Sequence, residues 1–479
     1  MNFSEHRKIF FRKVGTRWNE KMRVSSWRNR ARKMIMVEMY CVGIIVILLF
    51  ASGCAQGKNT LLPDLPAEGE GMLKVLYYDE QSFQQKYGNF FSKKFPRVQI
   101  HVISTKTLQE DSRHEQLEIE ELTRLIEQEN PDLIWLQDNH IIPLADKGML
   151  QPLDVIIEQD QFDLTGIPDN TMDYFRQKGG GILYTLSPTY TTQAIYYNAD
   201  LFKAHHIDLP RNQMTWEELF SLASRFSELG TKEEPVYGLS LHVPVTMMNL
   251  LYVAQTDNLR VIDARGEKLQ FDTEGWRRVF HLVSEAIKTG TLYTSGPEVT
   301  AKNLLENPSQ GRVAMTIKEP SMSSIRGSST FEIGVVTMPI NPMQPDINPY
   351  LYYPDLFAIH QRSENKRLAW EMLSYMLSPE MAKTMAQGWA VRLPTRNGDL
   401  KQVGEWSAEP FTMLKPSLHG GPSYNIVERE NFSESFKNEI YGALVETLDE
   451  IVNNNRQVEE ALASMQEELE VKLEQERNK

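Results

Sequence analysis

Cysteine is almost absent from this chain. Its 479 residues contain two, Cys41 and Cys54. With so few thiols, no disulfide framework and no thiolate metal site is expected, and stability has to come from ordinary apolar cores. Long hydrophobic runs are equally scarce. The single one, MYCVGIIVILLF (Met39–Phe50), has 12 residues, short of the roughly 20 that span a bilayer. Positive charge is missing from most of the chain. Residues 1–53 hold 11 Lys and Arg against Glu5, Glu20 and Glu38, and the remainder carries a net charge of −21 where the whole chain has −13. A body that acidic repels phosphate backbones, so nucleic acid is not an expected partner. Hydrolase signatures are missing too. There is no G-x-S-x-G elbow and no H-E-x-x-H helix. Paired carboxylates of a glycosidase, which come from distant segments, are not tested by such motifs.

The basic block RVSSWRNRARK leads into the apolar run, then ASGC, then the polar stretch AQGKNTLLPDLPAEGEG. That order suits a signal peptide. Ala51, Ser52 and Gly53 before Cys54 resemble a lipoprotein signal-peptidase site, which would make Cys54 the lipidated first mature residue. Residues 1–53 are then the signal peptide, with Met22 and Met34 as later starts, and 54–71 a tether. The competing reading is an uncleaved membrane anchor. Both put the body of the chain outside the membrane.

Beyond the tether, strands and helices alternate. MLKVLYYDE (Met72–Glu80) reads as a buried strand. EQLEIEELTRLIEQEN carries Leu117, Leu122, Leu125 and Ile126 on one helical face, and PDLIWLQDN is a second strand. A β-α-β start implies an α/β fold. In MTWEELFSLASRFSELG, Thr215 and Glu218 fit a capping box, Trp216, Leu219, Phe220, Ala223 and Phe226 share a face, and Gly230 suits a helix terminus. TEGWRRVFHLVSEAIKTG reads as another capped helix, and Ser363–Gly388 as two helices broken at Ser378-Pro379. In GILYTLSPTYTTQAIYYNADLF (Gly181–Phe202), Pro188 cannot donate to a ladder, so two strands are expected there rather than one. If the lobes are joined by several crossings, then SPTYTTQAIYYN, AMTIKEP and LFAIH are candidates, with Tyr184 and Tyr196 in different sheets.

The order PDLIWLQDNHIIPLADKGMLQPLD, LYTLSPTYTTQAIYYNADLFKAHHIDLP, MTWEELFSLASRF, GRVAMTI, NKRLAWEMLSYMLSPEMAKTMAQG, VRLPTR and NNRQVEEALASMQEELE resembles the family 1 extracellular solute-binding proteins, the maltose-binding-protein-like receptors of ABC importers, over nearly all of residues 72–479. The resemblance implies a two-lobed periplasmic-binding-protein type II fold with three hinge crossings and an interlobe cleft. It places lobe 1 at 72–187 and 318–356 and lobe 2 at 188–317 and 357–479. It further implies a monomeric, lipid-anchored receptor of the Gram-positive arrangement, without a cofactor, that delivers a sugar or oligosaccharide to membrane permease subunits. Two features depart from sugar-binding members. VTMMNLLYVAQTDN has neither Trp nor Gly-Gly, and Glu319-Pro320-Ser321 stands where Gly-Pro-Trp is common. They motivate a second reading, a solute sensor or scaffold of the same fold.

Ligand contacts in α/β sheets gather beyond the carboxyl ends of strands. That rule selects Tyr78, Asp79 and Glu80 after the first strand, Gln137, Asp138 and Asn139 after the second, and Glu319 after AMTI. Tyr190 lies in the hinge stretch, Tyr353 and Asp355 precede the last crossing, and Trp389 follows a helix end. Carboxylates there accept paired sugar hydroxyls or pair with a cationic solute, and aromatic faces suit pyranose C–H faces. Each has a bland competitor: capping for the carboxylates, core packing for the aromatics. Trp135, Trp216, Trp276 and Trp370 are expected in cores. His205-His206 lacks partners at ligand spacing, so no metal is expected.

Overall fold

A computed structural model of the protein describes residues 62–477, apart from 64, 66–68, 107, 109–117, 230–235, 242–245, 294–312, 321–330, 388–391, 419–426 and 428–431. Cys54, the leader, Gly230 and Trp389 therefore lie outside the described residues.

Along the chain, β1 (Gly71–Tyr77) is a near-continuous apolar strand with Leu73, Val75, Leu76 and Tyr77 buried. Such a run suits a strand covered on both faces. β2 (Val98–Ser104) and β3 (Leu133–Leu136) flank it, both parallel to it. Between them the helix Ile119–Glu129 buries Leu122 and Ile126 and ends at Asn130, whose φ of 46° gives the left-handed terminus. β4 (Thr189–Tyr190) follows Pro188. β5 (Ala194–Asn198), β6 (Tyr237–Leu241), β7 (Leu292–Tyr293), β8 (Val313–Lys318) and β9 (Ile333–Thr337) then build a second sheet. β10 (Ile347–Asn348) leads back to β11 (Leu356–Ile359), which joins the first sheet, and β12 (Leu393–Pro394) follows two helices.

The two sheets have orders β11-β3-β1-β2 and β7-β6-β8-β5-β9. Each has parallel strands in a 2-1-3 order followed by one antiparallel strand, β11 in the first and β5 in the second. In both sheets that antiparallel strand has just arrived from the other lobe. The lobes are thus built alike and exchange one strand each.

The exchange corrects part of the expected lobe boundaries. AMTIKEP does not cross. β8 pairs with β6 and β5, and β9 then fills the free edge of β5, so both strands stay with the second sheet. The return crossing is 347–356, and LFAIH is its landing strand. Residues 357–411 belong to the first core and not to the second lobe. The first core draws on 62–196 and 351–411, the second on 195–350 and 427–473. A short apolar strand satisfies either sheet, and the deciding factor is the open edge that β5 leaves, which no local pattern records.

The opening crossing runs from Leu186, which bridges Phe357 beside β11, to β5 in the second sheet. Tyr196 stands in β5 of the second sheet, whereas Tyr184 lies in no strand, and both side chains pack with the first core. The crossings are bonded laterally. Tyr190 pairs with Leu393, Thr191 bridges Tyr352, and Ile347-Asn348 pairs with Lys415-Pro416. Asn348 Nδ2 donates to Thr192 Oγ1 at 2.8 Å. The final crossing leads to the helices Glu434–Asn453 and Val458–Arg477, which pack into the second core.

Local signals hold at several places. The Thr215 hydroxyl accepts from Glu218 N at 3.3 Å and the Glu218 carboxylate accepts from Thr215 N at 2.9 Å, the capping box of helix Trp216–Ser227. That helix packs on β6 so closely that a Cβ on Gly238 would lie 2.0 Å from the Ala223 carbonyl oxygen. Thr273 differs from expectation: its hydroxyl turns back to Gln270 O at 2.8 Å and caps nothing in the helix Glu274–Lys288. Trp216, Trp276 and Trp370 are fully buried, and the indole of half-buried Trp135 donates to Pro354 O at 3.1 Å, tying β3 to the return crossing.

Candidate functional site

The carboxyl end of β1 places Tyr77 inward and Tyr78 half-buried, and Asp79 opens the next helical turn. The Asp79 carboxylate accepts from Ser82 N and Ser82 Oγ, both at 2.8 Å. Those bonds hold its carboxyl below the usual carboxylate range. Asp79 is therefore a helix cap, as its bland competitor has it. It also lines a polar hollow of about 680 Å³ together with exposed Glu80, Gln81, Ser82, Gln85 and Lys106.

A five-residue π-helical stretch, Gln84–Gly88, follows. π-Turns of this kind recur at functional positions because they re-aim side chains. Here the wide turn sends two consecutive side chains to one place. Lys86 Nζ donates to the Tyr77 hydroxyl at 2.9 Å, and the Tyr87 hydroxyl donates to Asp355 Oδ2 at 2.7 Å. The Tyr77 hydroxyl donates to Asp355 Oδ1 at 2.9 Å, Arg392 Nη1 donates to Oδ2, and Lys86 lies 3.9 Å from that oxygen.

Asp355 is 1% exposed. Burial on its own raises a carboxyl's pKa. Arg392, Lys86 and the two tyrosine hydroxyls outweigh it and hold Asp355 below the usual range. Burial together with Asp355's charge drives the Tyr77 and Tyr87 hydroxyls well above theirs, so both remain donors. Asp355 immediately precedes β11, so this carboxylate pins the return crossing to the end of β1 and to the approach to β12.

The other expected positions divide by environment. Gln137 forms a capping box with His140. Asp138 accepts from the Tyr174 hydroxyl at 2.9 Å and pairs with Lys178 Nζ at 2.6 Å, both on the helix Asp169–Lys178 of its own lobe. Tyr190 is 2% exposed, donating to Phe411 O at 3.2 Å and accepting from Asn397 Nδ2 at 3.1 Å. Tyr353 is buried against Tyr174 and Phe175 and donates to Thr171 Oγ1 at 3.0 Å. Neither tyrosine offers a ring face to solvent. They pack the hinge, as the core-packing alternative has it. Glu319, just past β8, is half-buried and accepts no hydrogen bond from a described residue. Burial pushes its carboxyl up, against the opposing field of Arg392.

The structure thus brings Tyr78, Asp79, Glu80, Asp355 and Glu319 toward the junction at the end of β1 and leaves Gln137 and Asp138 tied within the first lobe. Sequence reasoning passed over Lys86, Tyr87 and Arg392. Lys86 and Tyr87 sit in an unremarkable QKYG, and Arg392 opens VRLPTR, a segment read only as part of a family pattern.

Comparison with known proteins agrees with this architecture. Among solved structures, the sugar-binding protein MalE of Xanthomonas citri superposes with a TM-score of 0.60 at 15% identity, covering 85% of this chain and 98% of its own. A family 1 extracellular solute-binding protein of Alicyclobacillus acidocaldarius gives 0.62 at 13% identity, with 84% and 98% covered. A substrate-binding protein of Listeria monocytogenes, solved with cycloalternan, gives 0.53 at 16%, again with 84% and 98% covered. At such identities the likeness establishes the two-lobed fold. The sequence itself matches the bacterial extracellular solute-binding proteins over residues 118–410, more than half its length, a family that binds its substrates without transforming them. The chain belongs to the bacterial extracellular solute-binding protein family.

Proposed function

We propose that the protein is a lipid-anchored extracellular receptor of an ABC importer, which captures a sugar or oligosaccharide between its two lobes and hands it to a membrane permease. The observation that carries this reading is the matched pair of sheets exchanging one strand each across laterally bonded crossings. Two stiff bodies on such a hinge respond to a ligand that touches both by shifting toward the closed arrangement. No bond in the solute changes. The polar hollow at the end of β1, with Asp79, Glu80, Gln85 and Lys106 on its walls, supplies hydrogen-bonding groups suited to hydroxyls. The sugar-binding description of the Xanthomonas protein and the cycloalternan bound to the Listeria protein support the same class of solute. Lys472 and Glu439 join the two C-terminal helices at the surface at 2.8 Å, and among the described residues no helix is long and apolar enough to cross a membrane. The anchor in this reading is the lipid on Cys54.

A thermal-shift screen of the full chain against neutral and acidic saccharides, peptides, amino acids and polyamines tests the reading. A true solute at a hundred times its dissociation constant adds about 2.7 kcal/mol of stability. A shift from peptides or polyamines with silence across all saccharides would overturn the carbohydrate assignment.

A further inference from the structure

The cluster around Asp355 contains more cationic hydrogen-bonding capacity than the described residues use. Arg392 has five N–H donors, which it directs to Asp355 Oδ2 and the Tyr77 hydroxyl with others to spare. Lys86 has three, and one is spent, on the Tyr77 hydroxyl. Among the described residues, neither side chain bonds any group beyond Asp355 and Tyr77. Both side chains are partly open to solvent, that of Lys86 38% exposed and that of Arg392 31%. The carboxylate that holds them is not, since Asp355 is buried with both oxygens occupied by Tyr77, Tyr87 and Arg392. Two cations on one buried anion give this trio a net charge of +1, with the Asp79 and Glu319 carboxyls within its electrostatic reach.

We propose that Lys86 and Arg392 form a docking fork for an anionic group on the solute, and that the solute is an acidic saccharide carrying a carboxylate. This rests on the receptor reading above and names the substrate class for that same cleft. A guanidinium binds a carboxylate through two parallel N–H···O bonds, and a neighbouring ammonium adds a point charge to the same oxygens. Asp355, Tyr77 and Tyr87 act as positioning residues, holding the two cations at the end of β1 without touching the solute.

The other charged groups near the fork are compatible with this occupant. Asp79 is engaged by Ser82 N and Ser82 Oγ. Glu319, at the end of β8 and within the field of Arg392, accepts no hydrogen bond from a described residue. Burial raises its pKa, which eases the approach of an anion to this side of the fork. Lys106, on the wall of the adjoining hollow, adds a further positive charge on the same side.

Isothermal titration of the full chain with oligogalacturonate, maltotriose and a sulfated oligosaccharide tests the fork, using Arg392→Gln, Arg392→Lys and Lys86→Gln. The expected result is oligogalacturonate binding that weakens at least about tenfold in Arg392→Gln and falls with added salt, with Arg392→Lys retaining part of it. Circular dichroism melting of each variant checks folding, and Arg392→Lys keeps the charge on Asp355 compensated if Arg392→Gln fails to fold. Binding of maltotriose by the native chain with no binding of either acidic saccharide overturns the fork and leaves the receptor reading standing. Binding of the sulfated probe alone overturns the carboxylate and assigns the fork to a sulfate ester. Binding of none of the three overturns the saccharide reading on which the proposal rests.

Discussion

The Tyr87 hydroxyl donates to Asp355 Oδ2 at 2.7 Å, joining a π-turn after the first strand to a crossing 268 residues further along the chain. Around that bond a single buried carboxylate organises a tyrosine pair, an arginine and a lysine. Removing the carboxylate strands the cations. Asp355→Asn is expected to cost about 3–5 kcal/mol, the usual penalty for breaking a buried ion pair from one side, read as a lower urea midpoint. A loss within experimental error would mean that Arg392 and Lys86 find water instead.

The same group sets an acid limit. Its folded pKa lies below its unfolded value, so its contribution is present in full above the unfolded value of about 3.9 and is lost as pH falls through the folded one. Melting temperatures measured from pH 6 downward should therefore drop less steeply for Asp355→Asn than for the native chain. Equal slopes would show that other carboxylates govern acid unfolding.

Glu319 works in the opposite sense. Burial raises its pKa, so its contribution is complete below the unfolded pKa and is lost as pH rises through the folded one. Ionised, this carboxylate is half-buried with no hydrogen bond from a described residue, which is a cost. Glu319→Gln should raise the melting temperature of the ligand-free chain at pH 7, with the difference shrinking as pH falls below the ordinary glutamate range. A lower melting temperature at pH 7 would show that the carboxylate has a partner in solution.

Local chemistry made much of this fold legible before any coordinates. The Thr215–Glu218 box, the break at Ser378-Pro379 and the strand-helix-strand opening are written within a few residues each, and they stand where expected. Pro188 marked a sheet boundary because a missing N–H is a local fact. The route of the chain between lobes was not local. AMTIKEP and LFAIH have the same apolar pattern, and only the edge left by β5 decides which one returns to the first sheet. The site was legible in its carboxylates and not in its cations. Asp355 was flagged beside a crossing. Arg392, 37 residues on, and Lys86 near the start of the first lobe meet it only after both sheets have formed. Aromatic residues misled for the same reason. Tyr190 and Tyr353 carry the composition of a sugar platform and the burial of a core.

That burial gives the hinge its own test. The Tyr190 hydroxyl bonds Phe411 O and Asn397 Nδ2 across two segments of the first core that flank the crossings. Tyr190→Phe keeps the ring and removes the oxygen, leaving a buried carbonyl and an amide short of a partner. Such unmade bonds cost about 1–3 kcal/mol, so the variant should melt earlier while its saccharide affinity stays within about twofold of the native chain. A ring on the cleft floor would give the reverse, with affinity falling and stability nearly unchanged. Titration and melting of this one variant therefore separate a hinge tyrosine from a ligand-stacking one.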